Sequence, residues 1–299
     1  MKIKQNLHIH SSHSCDSACA SLNDIQNEMT ALGMTEFGLS DHLHTQYNLC
    51  DIQGARNDFL CYDRPKNFHF GVEVSGISEW ERDKIARGDF KRFFDDPVYG
   101  IRFEEGPPDN PVCIGLTEQN IEDLGIEYVI GGVHWPLYSK ATREEAYYDF
   151  FRQQKALIEN PLVDILAHPW YPLHVSHNWA GWTGMTGRPK FSREFVDYSV
   201  YAKIPAWMNE KLGETLIKNG TLAEINTSEV NDPSAPSEYR DARWRQLAEW
   251  REMGVKFVFG TDQHAAHNNR VDIAASELLL DLYGFTEDDI AYGFPKKCR

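Results

Sequence analysis

Seven short runs rich in Val, Ile, Leu and Phe recur along this 299-residue chain, and nearly all of them lead into a histidine or a carboxylate. They cover residues 3–10, 36–42, 68–74, 128–135, 163–168, 221–227 and 256–262. Each has the length and composition of a strand buried on both faces. Between them, residues 22–32, 143–158, 191–201, 206–219 and 240–253 have helical length and spacing. Alternation of strand and helix predicts a parallel sheet with crossover helices. Gly220 and Gly254 fit helix C-caps placed directly before strands. The expected fold class is therefore α/β, a distorted or incomplete (β/α) barrel of seven strands, and a chain of this length is expected to form it as one domain over 1–299.

Two connections break the rhythm. Residues 75–127 carry charge and the loop-like stretch Glu105-Gly106-Pro107-Pro108-Asp109-Asn110-Pro111, and residues 170–193 are rich in aromatics, glycine and histidine. Both follow strands that end in candidate ligands, so each is read as an insertion that covers a site or as a solvated excursion.

The formal charge of -15 disfavours long nucleic acids as partners. No apolar run approaches the ~20 residues of a membrane span, and the N-terminal residues Met1 to Asn6 do not form a signal peptide. Cys15, Cys19, Cys50, Cys61, Cys113 and Cys298 contain no CxxC pair and are read as reduced thiols. A cytoplasmic protein without a membrane partner is expected.

The chemistry sits at the strand ends. His8 and His10, like Asp262 and His264, are two residues apart, and in a strand such pairs share one face. Asp16, His42, Glu73, His134 and His168 complete a set of nine side chains of metal-binding type. The C-terminal ends of strands are where parallel α/β folds build their sites. A lone strand-end histidine is more often structural; repetition on strand after strand makes coincidence the poorer explanation. Imidazole and carboxylate donors without paired thiolates suit Zn, Mn or Fe, and a set this large could hold two or three divalent ions. Asp41 is read as a carboxylate behind a ligand imidazole, and His44 as surface or pocket wall.

In order along the chain, His8-x-His10, Asp16, Asp41-His42, Glu73, His134, His168 and Asp262-x-His264 resemble the polymerase and histidinol phosphatase (PHP) family, over about residues 7–266. The resemblance implies a distorted seven-stranded barrel with a trinuclear centre. By position it implies one ion at His8, His10, Glu73 and Asp262, a second at Glu73, His134 and His168, and a third at Asp16, His42 and His264. Many members carry His or Glu where Asp16 stands, and His13 is the alternative at that place. The stretch Glu224-Ile225-Asn226-Thr227-Ser228 resembles the histidinol-phosphate phosphatase branch.

The expected activity is hydrolysis of a small phosphomonoester by metal-bound hydroxide, with Glu73 bridging ions and Asp262 or His264 assisting proton transfer. Arg143, Arg188 and Arg270 are candidate phosphate donors. Trp135, Trp170 and His177 are candidate substrate contacts. Two other readings are a phosphodiesterase or nuclease acting on nucleotides or short oligonucleotides, and a metal-binding module without turnover.

Overall fold

The computed structural model describes residues 1–16, 18–89, 106–107, 109–137, 142–171, 198–265 and 270–293. In chain order the elements are β1 (Gln5–Asn6), α1 (Leu22–Ala31), β2 (Glu36–Leu39), β3 (His42–Leu43), α2 (Leu49–Cys61), β4 (Phe68–Ser75), β5 (Ile77–Ser78), α3 (Glu79–Ala86), β6 (Val112–Cys113), α4 (Glu118–Leu124), β7 (Tyr128–Gly132), α5 (Arg143–Glu159), β8 (Ile165–Leu166), α6 (Ala206–Asn219), β9 (Leu222–Asn226), α7 (Thr227–Val230), α8 (Ser237–Met253), β10 (Phe257–Gly260) and α9 (Arg270–Leu282).

Seven parallel strands run in the order β1-β2-β4-β7-β8-β9-β10, with β3 continuing the line of β2 beside β4. The sheet curls until its two edges meet. Leu7 N–H donates to the Phe259 carbonyl at 2.9 Å, His10 N–H donates to the Gln263 carbonyl at 2.8 Å, and Ile9 bridges Gln263. The result is a nearly closed barrel, as the spacing of apolar runs predicts.

Alternation along the strands sorts the core into two bodies. Phe68, Phe70, Val72 and Val74 of β4 pack outward against the helices, and Leu7, Tyr128, Ile130, Ile165, Leu222 and Val258 fill the barrel interior. Tyr128 plugs that interior. Its buried hydroxyl reaches the carbonyls of Leu7 and Leu39, each at 2.7 Å. Gly38 and Gly71 flank the ring, and a Cβ on either would collide with it.

Helices predicted over 22–32, 143–158 and 206–219 form close to those bounds. Gly220 and Gly254 close α6 and α8 in the left-handed region, with φ of 64° and 99°. The helix expected from residue 240 starts earlier, at Ser237, because Pro236 fits the position before the first turn. The segment expected over 191–201 is described only from Tyr198, where a 3₁₀ helix runs to Lys203.

The connection over residues 75–127 is more structured than its composition suggests. It carries the antiparallel pair β5–β6 and the helices α3 and α4, each begun by a hydroxyl cap, Ser78 and Thr117. It is tied to α5, whose Arg152 donates to the Asn110 carbonyl at 2.8 Å. The second long connection, 170–193, lies outside the described residues beyond Tyr171.

Candidate metal centre

At the C-terminal mouth of the barrel the structure brings together all nine side chains singled out above. In each of three groups the donor atoms lie within 4.8 Å of one another: His8, His10, Glu73 and Asp262; His10, Asp16, His42 and His264; and His42, Glu73 and His134. The membership differs from that implied by the resemblance. His10 serves two groups, and His42 stands with Glu73 because its Nδ1 lies 2.9 Å from Glu73 Oε2. His168 joins from the far side, its Nε2 3.0 Å from Glu73 Oε1. Glu73, wholly buried on β4, is thus the hub, facing His8, His42, His134 and His168.

The backbone explains why these side chains converge. His168 and Asp262 both sit at positive φ, 24° and 52°, just beyond β8 and β10. Such turns are costly for residues with a Cβ and persist where the surroundings enforce them. The loop after β1 is pinned from the second strand line. Asp41 accepts from Ser11 N–H at 2.5 Å and from the Ser11 hydroxyl at 2.7 Å. Asp41 therefore fixes the loop that carries Asp16 and does not back a ligand imidazole, as the sequence reading had it. On the same loop His13 turns outward, its Nε2 2.7 Å from Asp58 on α2, whereas Asp16 lies 3.1 Å from His42 and also pairs with His264. The inward residue is Asp16.

Several imidazoles are anchored through Nδ1, leaving Nε2 for the centre. His8 Nδ1 contacts Glu224 at 2.7 Å, His134 Nδ1 contacts the Ser75 hydroxyl at 2.8 Å, and His264 Nδ1 donates to the Asp262 carbonyl at 2.7 Å. This arrangement, one nitrogen on the protein and the other on a shared point, is what metal-ligating histidines adopt.

Electrostatics point the same way. Burial alone would raise the Glu73 carboxyl, but the imidazoles of His8, His134 and His42 hold it well below the ordinary carboxylate range. Asp262, likewise opposed by burial, is held down by His8, His10 and His264. Burial and the neighbouring His42 and His264 push His10 down to about 3. Burial outweighs the pull of Glu73 on His134, which drops to about 4. His42 goes the other way, up to about 10, because Glu73 and Asp16 overcome its burial.

Neutral His10 presents one Nε2 to two partners, His8 Nε2 and Asp262 Oδ1, both at 3.1 Å. Two imidazole nitrogens and a carboxylate oxygen thus converge on one point. Asp16 Oδ1 and His168 Nδ1 are buried with no hydrogen-bond partner. A divalent cation at that point would accept the lone pairs of the converging nitrogens and oxygens, and the donor set suits one. The residues present fit metal ions.

The remaining sequence candidates are placed less centrally. Trp135 and Trp170 are buried, Trp170 completely, and present no open wall. Trp135 packs 4.9 Å from the His44 ring and 5.4 Å from that of His134. Arg143 is the first residue of α5, half-buried and outside the cluster just described. Arg188, His177 and the side chain of Arg270 lie outside the described residues. Two further residues belong to this region. His44, expected at a surface or pocket wall, is fully buried with Nδ1 2.7 Å from Ser75. Ser75 carried no signal beyond its place at the end of an apolar strand.

No protein-family model matches the chain. Among curated proteins, botulinum neurotoxin type F of Clostridium botulinum is 33% identical over 97 residues, a stretch covering 32% of this chain and 7% of the toxin. Among solved structures, histidinol phosphate phosphatase of Lactococcus lactis, in complex with Zn, L-histidinol and phosphate, aligns with a TM-score of 0.55 at 17% identity. The match covers 99% of this chain and 98% of the other. A protein described as a histidinol phosphatase from Listeria monocytogenes aligns at 0.53 and 12% identity, over 89% and 97% of the two chains. Seven parallel strands, nearly closed and matched end to end, give this chain the PHP-type barrel fold of the histidinol phosphate phosphatases.

Proposed function

We propose that the chain is a metal-dependent phosphatase that hydrolyses a small phosphomonoester of the histidinol phosphate type, using two or three divalent ions held by His8, His10, Asp16, His42, Glu73, His134, His168, Asp262 and His264. The observation that carries this reading is the convergence of three overlapping donor groups, two of which contain the buried carboxylate of Glu73. The end-to-end structural match to a phosphatase that binds Zn, L-histidinol and phosphate supports the same substrate class.

Divalent ions bound there supply Lewis acidity toward phosphoryl oxygens and make water a nucleophile near neutral pH. The protein's part is orientation and proton handling. Glu73, His8 and His10 are closed off from solvent, whereas the side chains of Asp262, His134 and His264 are 20%, 17% and 38% exposed. Substrate therefore meets the cluster across the Asp262–His264 rim. Proton exchange between site and solvent is assigned to the Asp262 carboxylate, which has a second oxygen beyond the one that would hold an ion and is open to solvent at this rim. A net charge of -15 suits a small anion held by metal better than a long polyanion. Among the described residues no helix is long and apolar enough to cross a membrane, and Cys15, Cys19, Cys50, Cys61 and Cys113 are unpaired thiols, which accords with a cytoplasmic location.

The test is elemental analysis of protein purified without chelators, followed by assay on histidinol phosphate and on a phosphodiester. Two or three transition-metal ions per chain, with monoester turnover exceeding diester turnover and lost on chelation, is the expected result. Preference for the diester would replace the phosphatase with a phosphodiesterase. A protein that holds no Zn or Mn even after reconstitution would overturn the metal reading.

A further inference from the structure

The carboxylate of Glu224 is buried on β9, inside the barrel mouth, and belongs to none of the three donor groups. A lone acid in that position is expensive unless every oxygen is satisfied. Both are. Oε1 lies 2.7 Å from His8 Nδ1, and Oε2 accepts the backbone N–H of His168 at 2.9 Å. Asn226 adds a weaker donor to Oε2 at 3.4 Å. Its amide has one orientation open to it, because its own oxygen accepts Glu229 N–H and caps α7. On the other side, Gly260 of β10 leaves the room the carboxylate occupies: a Cβ there would overlap Glu224 Oε1.

The two residues it grips lie on opposite flanks of Glu73. His8 Nε2 lies 3.1 Å from Glu73 Oε2, and His168 Nε2 lies 3.0 Å from Glu73 Oε1. The hydrogen bond at His8 Nδ1 keeps the proton on that nitrogen and turns Nε2 toward the centre. That at His168 N–H holds a backbone with φ of 24°, which a histidine does not keep unaided.

We propose that Glu224 is a positioning residue that orients His8 and His168 for metal binding, so that one carboxylate outside the donor set couples the donors on both sides of Glu73. This rests on the metal reading above. Gln at 224 keeps the shape but has one oxygen for two donors, so either His8 or His168 loses its acceptor.

The experiment is zinc titration of wild-type and Glu224→Gln protein against a chromophoric chelator, with the metal-free melting curve of each as the measure of folding. The expected result is a similar metal-free melt and a zinc affinity about 10- to 100-fold weaker in the variant. Tyr128→Phe, which loosens the barrel away from the site, keeps wild-type affinity. Wild type that binds zinc together with a Glu224→Gln protein of equal affinity and stoichiometry overturns this inference alone. Wild type that binds no zinc overturns the metal reading and this inference with it. Should Glu224→Gln not fold, Glu224→Asp carries the test. It keeps the charge but withdraws the acceptor by one methylene; weakened zinc binding supports the role, and wild-type affinity overturns it.

Discussion

The Ser75 hydroxyl lies 2.8 Å from His134 Nδ1, at the point where β4 ends beside the histidine of the next strand. The same oxygen is 2.7 Å from His44 Nδ1. For His134 Nε2 to offer its lone pair toward Glu73, 3.1 Å away, Nδ1 must carry the ring proton and donate it to Ser75. Ser75→Ala removes that acceptor without opening the core. Metal affinity should fall by about 10- to 100-fold while the metal-free protein stays folded. Chelator competition checks it, and unchanged affinity would show that His134 needs no such anchor.

Tyr128 bears on stability and leaves the chemistry alone. Its hydroxyl is the buried donor shared by the Leu7 and Leu39 carbonyls, across the first two barrel strands. Tyr128→Phe should cost about 1–3 kcal/mol, because the buried carbonyls lose that donor with no water in its place. Urea unfolding of both proteins measures it. A change below about 0.5 kcal/mol would mean the interior admits water.

A buried ion pair braces the wall behind the β8 turn. Arg243 donates to both oxygens of Glu229, at 2.6 and 2.9 Å, and Tyr239 donates to the same carboxylate at 2.9 Å. The guanidinium lies over the Tyr201 ring at 4.8 Å, and the Tyr201 hydroxyl donates to the Pro169 carbonyl next to His168. Arg243→Met leaves Glu229 charged, buried and short of its main partner. The expected loss is about 3–5 kcal/mol by chemical denaturation. Adding Glu229→Gln should recover part of it, since the stranded charge is then gone.

Away from the site, Glu127 gives the fold a pH dependence of defined sign. Burial would raise its carboxyl, but His69 at 2.9 Å and Phe70 N–H at 3.1 Å hold it below the ordinary value of 4.5. A carboxylate lowered on folding stabilises the protein above its unfolded value, and that stabilisation is lost as pH falls through the lowered one. The side chain is half-exposed, so the effect is on the order of 1 kcal/mol or less. Glu127→Gln should be less stable than wild type at pH 7, with the gap closing below about pH 4. Melting temperatures across that range decide it; a gap independent of pH would remove the carboxylate from the account.

Thiol chemistry gives a further check. Burial, which dominates the pull of Arg82, pushes Cys113 up to about 12, so at neutral pH it is almost wholly the unreactive thiol. Cys19, Cys50 and Cys61 are exposed. Iodoacetamide at pH 7.5 should modify those three well before Cys113, as peptide mapping would report. Equal rates would place Cys113 in the solvent.

Local features were legible because short-range physics sets them. The apolar runs, the glycines at 220 and 254, and the stripes of α1, α5 and α6 announce themselves within a few residues. The helix α2 did not. It buries only Ile52, Ala55 and Phe59 and carries Gly54 in its middle, so its periodicity is faint. The helices α3 and α4 hid in a charged stretch with few apolar residues, each begun by a capping hydroxyl.

Strand length and side-chain alternation are written along the chain, so the residues able to bind metal, and their place at strand ends, could be read from it directly. How those residues group depends on the closure of the barrel. Closing the barrel brings Leu7 to Phe259 and so sets His10 beside Asp262 and His264, residues some 250 positions away, with spacings that no local pattern encodes. It also chose Asp16 over His13, because α2 offers Asp58 to the outward histidine. And it gave Glu224 its two partners, His168 beyond the adjacent strand β8 and His8 beyond β1, on the far side of β10, which meet only when the barrel closes.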